Sequence, residues 1–294
     1  MANAIKAQRI IELQNQSHGF KINKTSHIKL TDYIQSVAEK KSENEVRKTV
    51  LHAVVYHLRR YNPNDIQLSR IDKDYILGFL DYLKTAKQTH TKKEKLLHVN
   101  TQVYYYKMLR YCLNYAVSEE LISANPMNKI KNEEKPHKHR TEREYLTIDE
   151  LRKLAQTPFY NGLLKKAFLF SCFCGLRHSD IIALTWGDIE MDDDGNSRLY
   201  IIQKKTKEAI SLPLSQEAIK QLPKREDAKE DDIIFKKLIT LGRTNEILPK
   251  WAEQAWIKKH ITFHTARHTH ATMLLTLGVD LYTVSKLLGH TNIQ

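Results

Sequence analysis

Glycine and proline together make only 16 of 294 residues. That is too few for a chain built on turns and short strands, so a mainly helical fold is expected. Cysteine is scarcer still: Cys112, Cys172 and Cys174, an odd number, each inside an apolar helical pattern. They read as small core residues in a reducing compartment, not as a disulfide framework. Cys172-Phe173-Cys174 lacks the two-residue gap of a zinc knuckle. No apolar run reaches membrane-spanning length, and the first residues lack the apolar core of a secretory signal, so no membrane partner and a cytoplasmic location are expected. Carboxylates form no cluster of metal-binding spacing. The run Asp192-Asp193-Asp194 abuts Gly195-Asn196 and reads as a solvated turn. No internal repeat is visible.

What the chain has in excess is positive charge. There are 47 Lys and Arg against 34 Asp and Glu, a net charge of +13. Residues 1–140 hold 25 basic and 14 acidic side chains, or +11, and residues 141–294 hold 22 and 20, or +2. Such a balance points to a polyanion, most often nucleic acid, gripped mainly by the first half. Binding is then expected to weaken steeply with salt.

Residues 4–15 (AIKAQRIIELQN) pattern as a short amphipathic helix, a connector over 1–25. A helix capped by Asp32 or the Thr31-Asp32 pair runs to about Lys40. A second spans 43–60, with Val46, Val50, Val54, Val55 and Leu58 on one face. Asn62-Pro63-Asn64-Asp65 is a turn. Asp72 caps a third helix to Ala86, and Asn100 opens a fourth to Glu120. Four such helices make a compact all-α domain over 26–130. The polar stretch KNEEKPHKHRTERE reads as a linker at 131–144. A second domain, 145–294, starts with Thr147 and Glu150 as a capping box. It mixes helices (162–174, 178–184, 215–222, 245–259, 264–277 and 281–288) with two strands, 198–203 and 209–214, around a basic turn. Gly175 and Gly289 read as helix stops.

The chemistry-bearing residues lie in this second domain. Phosphodiester cleavage builds negative charge on the non-bridging oxygens, and guanidinium groups can carry it in place of metal ions. Arg177 sits in CGLRHSD at a helix–turn–helix corner, with Asp180 three residues on to hold its fork. His264 and Arg267, three apart, share a helix face. Lys205 sits in QKKTKEA at the hairpin tip, with Lys204 and Lys207 as rivals for its role. His290 follows Leu288-Gly289 at a helix end. His264 and His268 at i,i+4 could instead pair on a metal, though the Glu of HExxH and a third ligand are missing.

In the order Arg, Lys, HxxR, GH, the chain resembles the tyrosine recombinase, or phage-type integrase, family. The matching stretches are CGLRHSDIIALTWGDI, IIQKKTKEAISLPL, FHTARHTHATMLLTLG and LYTVSKLLGH. Their wording is most similar to integrases of conjugative transposons in the Bacteroides group. The resemblance implies a helical core-binding (SAM-like) domain followed by an α+β catalytic domain with a small antiparallel hairpin or sheet. It implies no cofactor and no metal. It also implies site-specific strand cleavage and rejoining through a 3′-phosphotyrosyl link, for integration or excision of a mobile element. Arg177 and Arg267 would hold the phosphate, Lys205 would protonate the leaving 5′ oxygen, and His264 and His290 would assist. Lys92, Lys93, Lys95, Lys107, Arg110, Lys204 and Lys207 are the expected contacts to double-stranded DNA. A homotetramer on paired sites, with accessory DNA-bending proteins, is implied in a bacterial cytoplasm.

In the family the nucleophilic tyrosine lies about nine residues beyond the second histidine, which falls near position 299, past Gln294. Residues 1–294 are therefore expected to bind DNA without forming the covalent link. Two further readings stay open: a non-catalytic DNA-binding derivative, and a metallohydrolase using His264 and His268.

Overall fold

The structure, a computed structural model, describes residues 27–41, 45–89, 95–139, 142–191, 196–204 and 208–289. The connector at 4–15 lies outside them. The chain divides into two compact units, Met1–Arg140 and Thr141–Gln294. Among the described residues no helix is long and apolar enough to cross a membrane.

The first unit is helical: α1 (Leu30–Lys41), α2 (Glu45–Tyr61), α3 (Lys73–Thr85) and α4 (Val99–Ser118). Asp72 caps α3 by accepting from the Tyr75 amide at 2.8 Å. Neither Thr31 nor Asp32 caps α1, because that helix starts earlier. Asp65, in the Asn62–Asp65 turn, instead accepts from the Thr31 amide at 3.3 Å and the Thr31 hydroxyl at 2.7 Å. A carboxylate distant in sequence thus satisfies an open helix start. Leu51, Val54 and Leu58 of α2 meet Ile34 of α1, Phe79 and Leu83 of α3, and Leu109 and Leu113 of α4 in one core. Val46, expected on the buried face, is exposed.

Much of the stretch expected as linker is bonded to this unit. Glu134 pairs with Lys73 at 2.8 Å. His139 donates its amide to Asn100 Oδ1 at 3.0 Å and accepts from Asn100 Nδ2 at 3.3 Å. Most of its described side chains stay exposed to solvent all the same.

The second unit carries α5 (Ile148–Gln156), α6 (Gly162–Cys174), the one-turn α7 (His178–Ile181), α8 (Gln216–Ile219), α9 (Leu241–Gln254), α10 (Phe263–Thr276) and α11 (Leu281–Leu287). Its sheet has order β1-β2-β3, all antiparallel: β1 (Ile189–Met191), β2 (Ser197–Ile202) and β3 (Ala209–Pro213). β1 was not expected; Ile189-Glu190-Met191 is too short a run to read as a strand by itself, and it becomes one by pairing along β2, Ile189 opposite Leu199. The Thr147–Glu150 capping box forms as the sequence implies.

α6 is nearly all apolar and buried, so it forms the centre of the unit, with Phe168 edge-on to Phe263 of α10 and to Trp251 of α9. Thr269 of α10 accepts from the Leu146 amide at 2.9 Å, which ties the entry of the unit to the helix that carries His264 and Arg267. All three tryptophans, Trp186, Trp251 and Trp256, lie in this unit.

Trp256 occupies a position where glycine is the favoured residue. The Ile257 amide reaches back to Ala252 O at 2.9 Å and closes α9, with Trp256 at φ 56° and 88 % exposed. A left-handed backbone is strained for a residue with a Cβ, and the indole buries little in return. Trp256→Gly is expected to stabilise the second unit by about 1 kcal/mol. Urea unfolding followed by the remaining tryptophans checks this, and an unchanged or lower midpoint contradicts it.

Candidate active site

The corner that carries Arg177 is set by Gly175. Its φ of 70° ends α6, and a Cβ there would lie 2.7 Å from His270 Cδ2 and 2.9 Å from Leu288 Cδ2. Only glycine combines that backbone with that approach. The chain then turns into α7, where Asp180 lies in the first turn.

Arg267 projects from α10 into the same corner and is 3 % exposed. Nη1 donates to Gly175 O at 2.8 Å, and Nη2 donates to Leu288 O. Burial, with the charge of Arg177 added, draws its guanidinium down to about 10. A cation so desolvated and ringed by carbonyls is held ready for an anion.

The Arg177 fork departs from expectation. Asp180 Oδ2 is 4.0 Å from Nη1, at the outer edge of an ion pair. The fork donates instead to Gln203 Oε1. Asp180, almost fully buried, accepts from the backbone amides of Arg177 at 3.4 Å and Lys204 at 3.1 Å. It therefore joins the α7 corner to the end of β2 rather than gripping the guanidinium. Gln203 also donates from Nε2 to Leu288 O at 3.1 Å.

Arg177, Arg267 and Asp180 are thus brought together with the ends of α6, β2 and α11. His264 lies on the first turn of α10, exposed, its ring edge-on to His268 at 4.6 Å between centroids. Burial, then the charges of His264, Arg143 and Arg267, lowers His268 to about 4. Among the described residues no group of three His, Cys, Asp or Glu is placed to hold a metal. Burial pushes the Cys174 thiol up to about 12 and Cys172 well above its ordinary value, which leaves both unreactive. Lys205, Lys207 and His290 lie outside the described residues, as do Lys92 and Lys93. Lys204 is exposed at the end of β2, and Lys95 and Lys107 are exposed in the first unit. Arg110 is half-buried and donates to Asn128 Oδ1 at 3.2 Å.

Sequence reasoning missed Gln203 and gave His270, close to His264 and Arg267 in sequence, no role. A signal for Gln203 was present: Leu199, Ile201 and Gln203 share parity along β2, so the glutamine falls on the inward face. His270 follows Phe263 by seven, Ala266 by four and Arg267 by three, so helical spacing sets it on the buried stripe of α10.

Comparison with known proteins gives the lineage of this arrangement. Residues 144–294 match the phage integrase family, and residues 29–134 match the phage integrase SAM-like domain. A tyrosine recombinase XerC of Pelotomaculum thermopropionicum is 24 % identical over 278 residues, covering 89 % of this chain and 87 % of its own. Among solved structures, a lambda integrase tetramer bound to a Holliday junction superposes with a TM-score of 0.69 at 20 % identity, covering 99 % of this chain and 86 % of that one. The Tn1549 transposon integrase (residues 82–397) in complex with circular intermediate DNA does so with 0.68 at 16 %, covering 90 % and 93 %.

Proposed function

Since the chain belongs to the phage integrase family of tyrosine recombinases, we propose that it acts on duplex DNA at a specific site, in the integration or excision of a mobile element, of which a conjugative transposon is our first candidate. The observation that carries this reading is the convergence of Arg177 and Arg267, two guanidiniums held in a buried corner by Gln203, Gly175 O and Leu288 O. Two such forks match the non-bridging oxygens of one phosphodiester and stabilise the charge that grows there during displacement.

In this reading a tyrosine oxygen attacks phosphorus while the bond to the 5′ oxygen breaks. Lys205 gives that oxygen its proton, and His264 and His290 move protons and steady the phosphate. The 3′-phosphotyrosyl ester conserves the bond for rejoining, and four protomers on paired sites exchange strands. The first unit, with its +11 share of charge over 1–140, would supply most contacts along the backbone through Lys92, Lys93, Lys95, Lys107 and Arg110, with Lys204 and Lys207 adding to them near the site. Accessory bending proteins would aid assembly in a bacterial cytoplasm.

Selection from a random duplex library tests the site-specific part. A discrete sequence should be enriched, and its binding should weaken in Arg177→Ala and Arg267→Ala; enrichment of no sequence overturns the reading. A nicked, suicide form of the selected duplex tests the nucleophile. No tyrosine follows Tyr282 in residues 1–294, and Tyr282 is 60 % exposed on α11 with the Lys286 ammonium 5.6 Å over its ring. Residues 1–294 alone are expected to bind this duplex without an SDS-stable adduct. An adduct that disappears in Tyr282→Phe would identify Tyr282 as the nucleophile instead.

A further inference from the structure

Gln203 is fully buried at the end of β2, between two groups the reaction needs in register. Its Oε1 accepts from Arg177 Nη1, and its Nε2 donates to Leu288 O at 3.1 Å. Leu288 O also accepts from Arg267 Nη2, and Arg267 Nη1 reaches Gly175 O, two residues before Arg177. The bonds form a closed circuit: Arg177, Gln203, the last turn of α11, Arg267, and the end of α6 back to Arg177. Each guanidinium has five donors. The circuit uses some of them to fix each plane and leaves the others for an anion.

We propose that Gln203 is the positioning residue of the site: its side-chain amide sets the plane of Arg177 and locks it to the α11 terminus that also holds Arg267. The inference rests on the reading of the two arginines as phosphate holders. The chemistry of the amide is specific. It presents one acceptor and one donor on a planar end, so it can serve a guanidinium and a carbonyl together. Glutamate has the reach but no donor, and as an anion it would pair with Arg177 and compete with phosphate. Methionine has the reach and neither function.

A second contact supports this role from the other side. Gly289, at φ 64°, is so close that a Cβ there would lie 2.7 Å from Gln203 Oε1 and 2.9 Å from Cδ. The backbone that leads into position 290 therefore packs on the amide that orients Arg177. Gly289→Ala is expected to displace Gln203 and to disturb Arg177 without altering either arginine.

The experiment uses residues 1–294 and the duplex selected by binding. Each phosphate in turn is replaced by a neutral methylphosphonate, and the dissociation constant is measured. In the wild-type chain one phosphate should stand out, its neutralisation costing roughly tenfold in affinity. In Gln203→Met and Gln203→Glu that penalty should fall below about twofold, while penalties at the other phosphates persist. Gly289→Ala should behave like Gln203→Met, and the double variant should add little more. A merely structural role would weaken all positions alike or none. A full-size penalty at that one phosphate in folded Gln203→Met and Gln203→Glu overturns the proposal. If Gln203→Met does not fold, Gly289→Ala decides, since it leaves the amide in place and shifts it. A wild-type chain with no distinguished phosphate overturns the phosphate reading itself, and the proposal with it.

Discussion

Arg267→Lys is expected to destabilise the second unit by about 2–3 kcal/mol and to make DNA binding dependent on pH where the wild type is not. The guanidinium spans two carbonyls, Gly175 O and Leu288 O, from a 3 % exposed position. An ammonium is a compact point donor without the planar two-pronged fork, so the pair of bonds is not reproduced, and Gly175 O is the carbonyl at risk because Leu288 O keeps its bond from Gln203 Nε2. The charge is also harder to keep. Burial and the neighbouring Arg177 already draw the guanidinium down to about 10, and a compact, strongly hydrated ammonium in the same place suffers more. Its folded pKa then lies below its unfolded value. The variant keeps its cation at low pH and loses it as pH rises through the folded pKa. Affinity for the selected duplex should fall between pH 7 and pH 9 in Arg267→Lys and stay flat in the wild type. Over the same range the stability deficit should shrink, because a neutral amine is cheaper to bury. Anisotropy titrations and tryptophan-detected unfolding at the two pH values check both halves. A flat affinity profile in the variant would mean that position 267 is better solvated than its burial implies.

The parts of this site that were legible in the sequence are those fixed by local rules. Gly175 reads as a helix stop because only one residue type takes that backbone freely, and Thr147 with Glu150 is a complete capping box within four residues. The strands around the basic turn follow from β-branched or apolar runs and lie within one residue of the expected bounds. What escaped was set by partners far along the chain. Asp65 caps α1 across 34 residues, and β1 exists because β2 offers it an edge. Asp180 reads locally as the partner of Arg177, yet its oxygens serve two backbone amides, and the fork goes to Gln203, 26 residues away. The order Arg, HxxR locates the site, but local sequence does not reveal which neutral side chain closes the circuit.

Acid is expected to weaken the second unit well before ordinary carboxylates titrate, and its buried histidines are the reason, His270 the most enclosed of those lowered to about 4. Its ring is 6 % exposed, and neither nitrogen has a hydrogen bond of normal geometry. Burial lowers it to about 4, the Cys172 backbone offsets this in part, and Arg267 adds to the lowering. A histidine buried neutral has a folded pKa below the unfolded value of about 6.5. Its contribution is therefore fully present above pH 6.5 and is lost progressively as pH falls toward 4. One such group costs about 2 kcal/mol at pH 5. His268, lowered to about 4, and His178, also lowered by burial, pull the same way in this unit. His57, lowered to about 4 in the first unit, does so there. All three tryptophans lie in the second unit, so their fluorescence follows that unit alone. Its urea midpoint should drop steeply between pH 7 and pH 5, and His270→Leu should remove part of that slope, His268 and His178 keeping the rest, while leaving the midpoint at pH 7.5 little changed. The functional consequence follows from position. The His270 ring packs against Gly175, whose carbonyl holds Arg267, and staying neutral down to about pH 4 it spares that corner a third cation. At pH 5 the folded wild type still holds His270 largely neutral, so its affinity for the selected duplex should match that of His270→Leu while its stability does not. An unaltered pH slope of stability in His270→Leu would transfer the effect to His268 and His178.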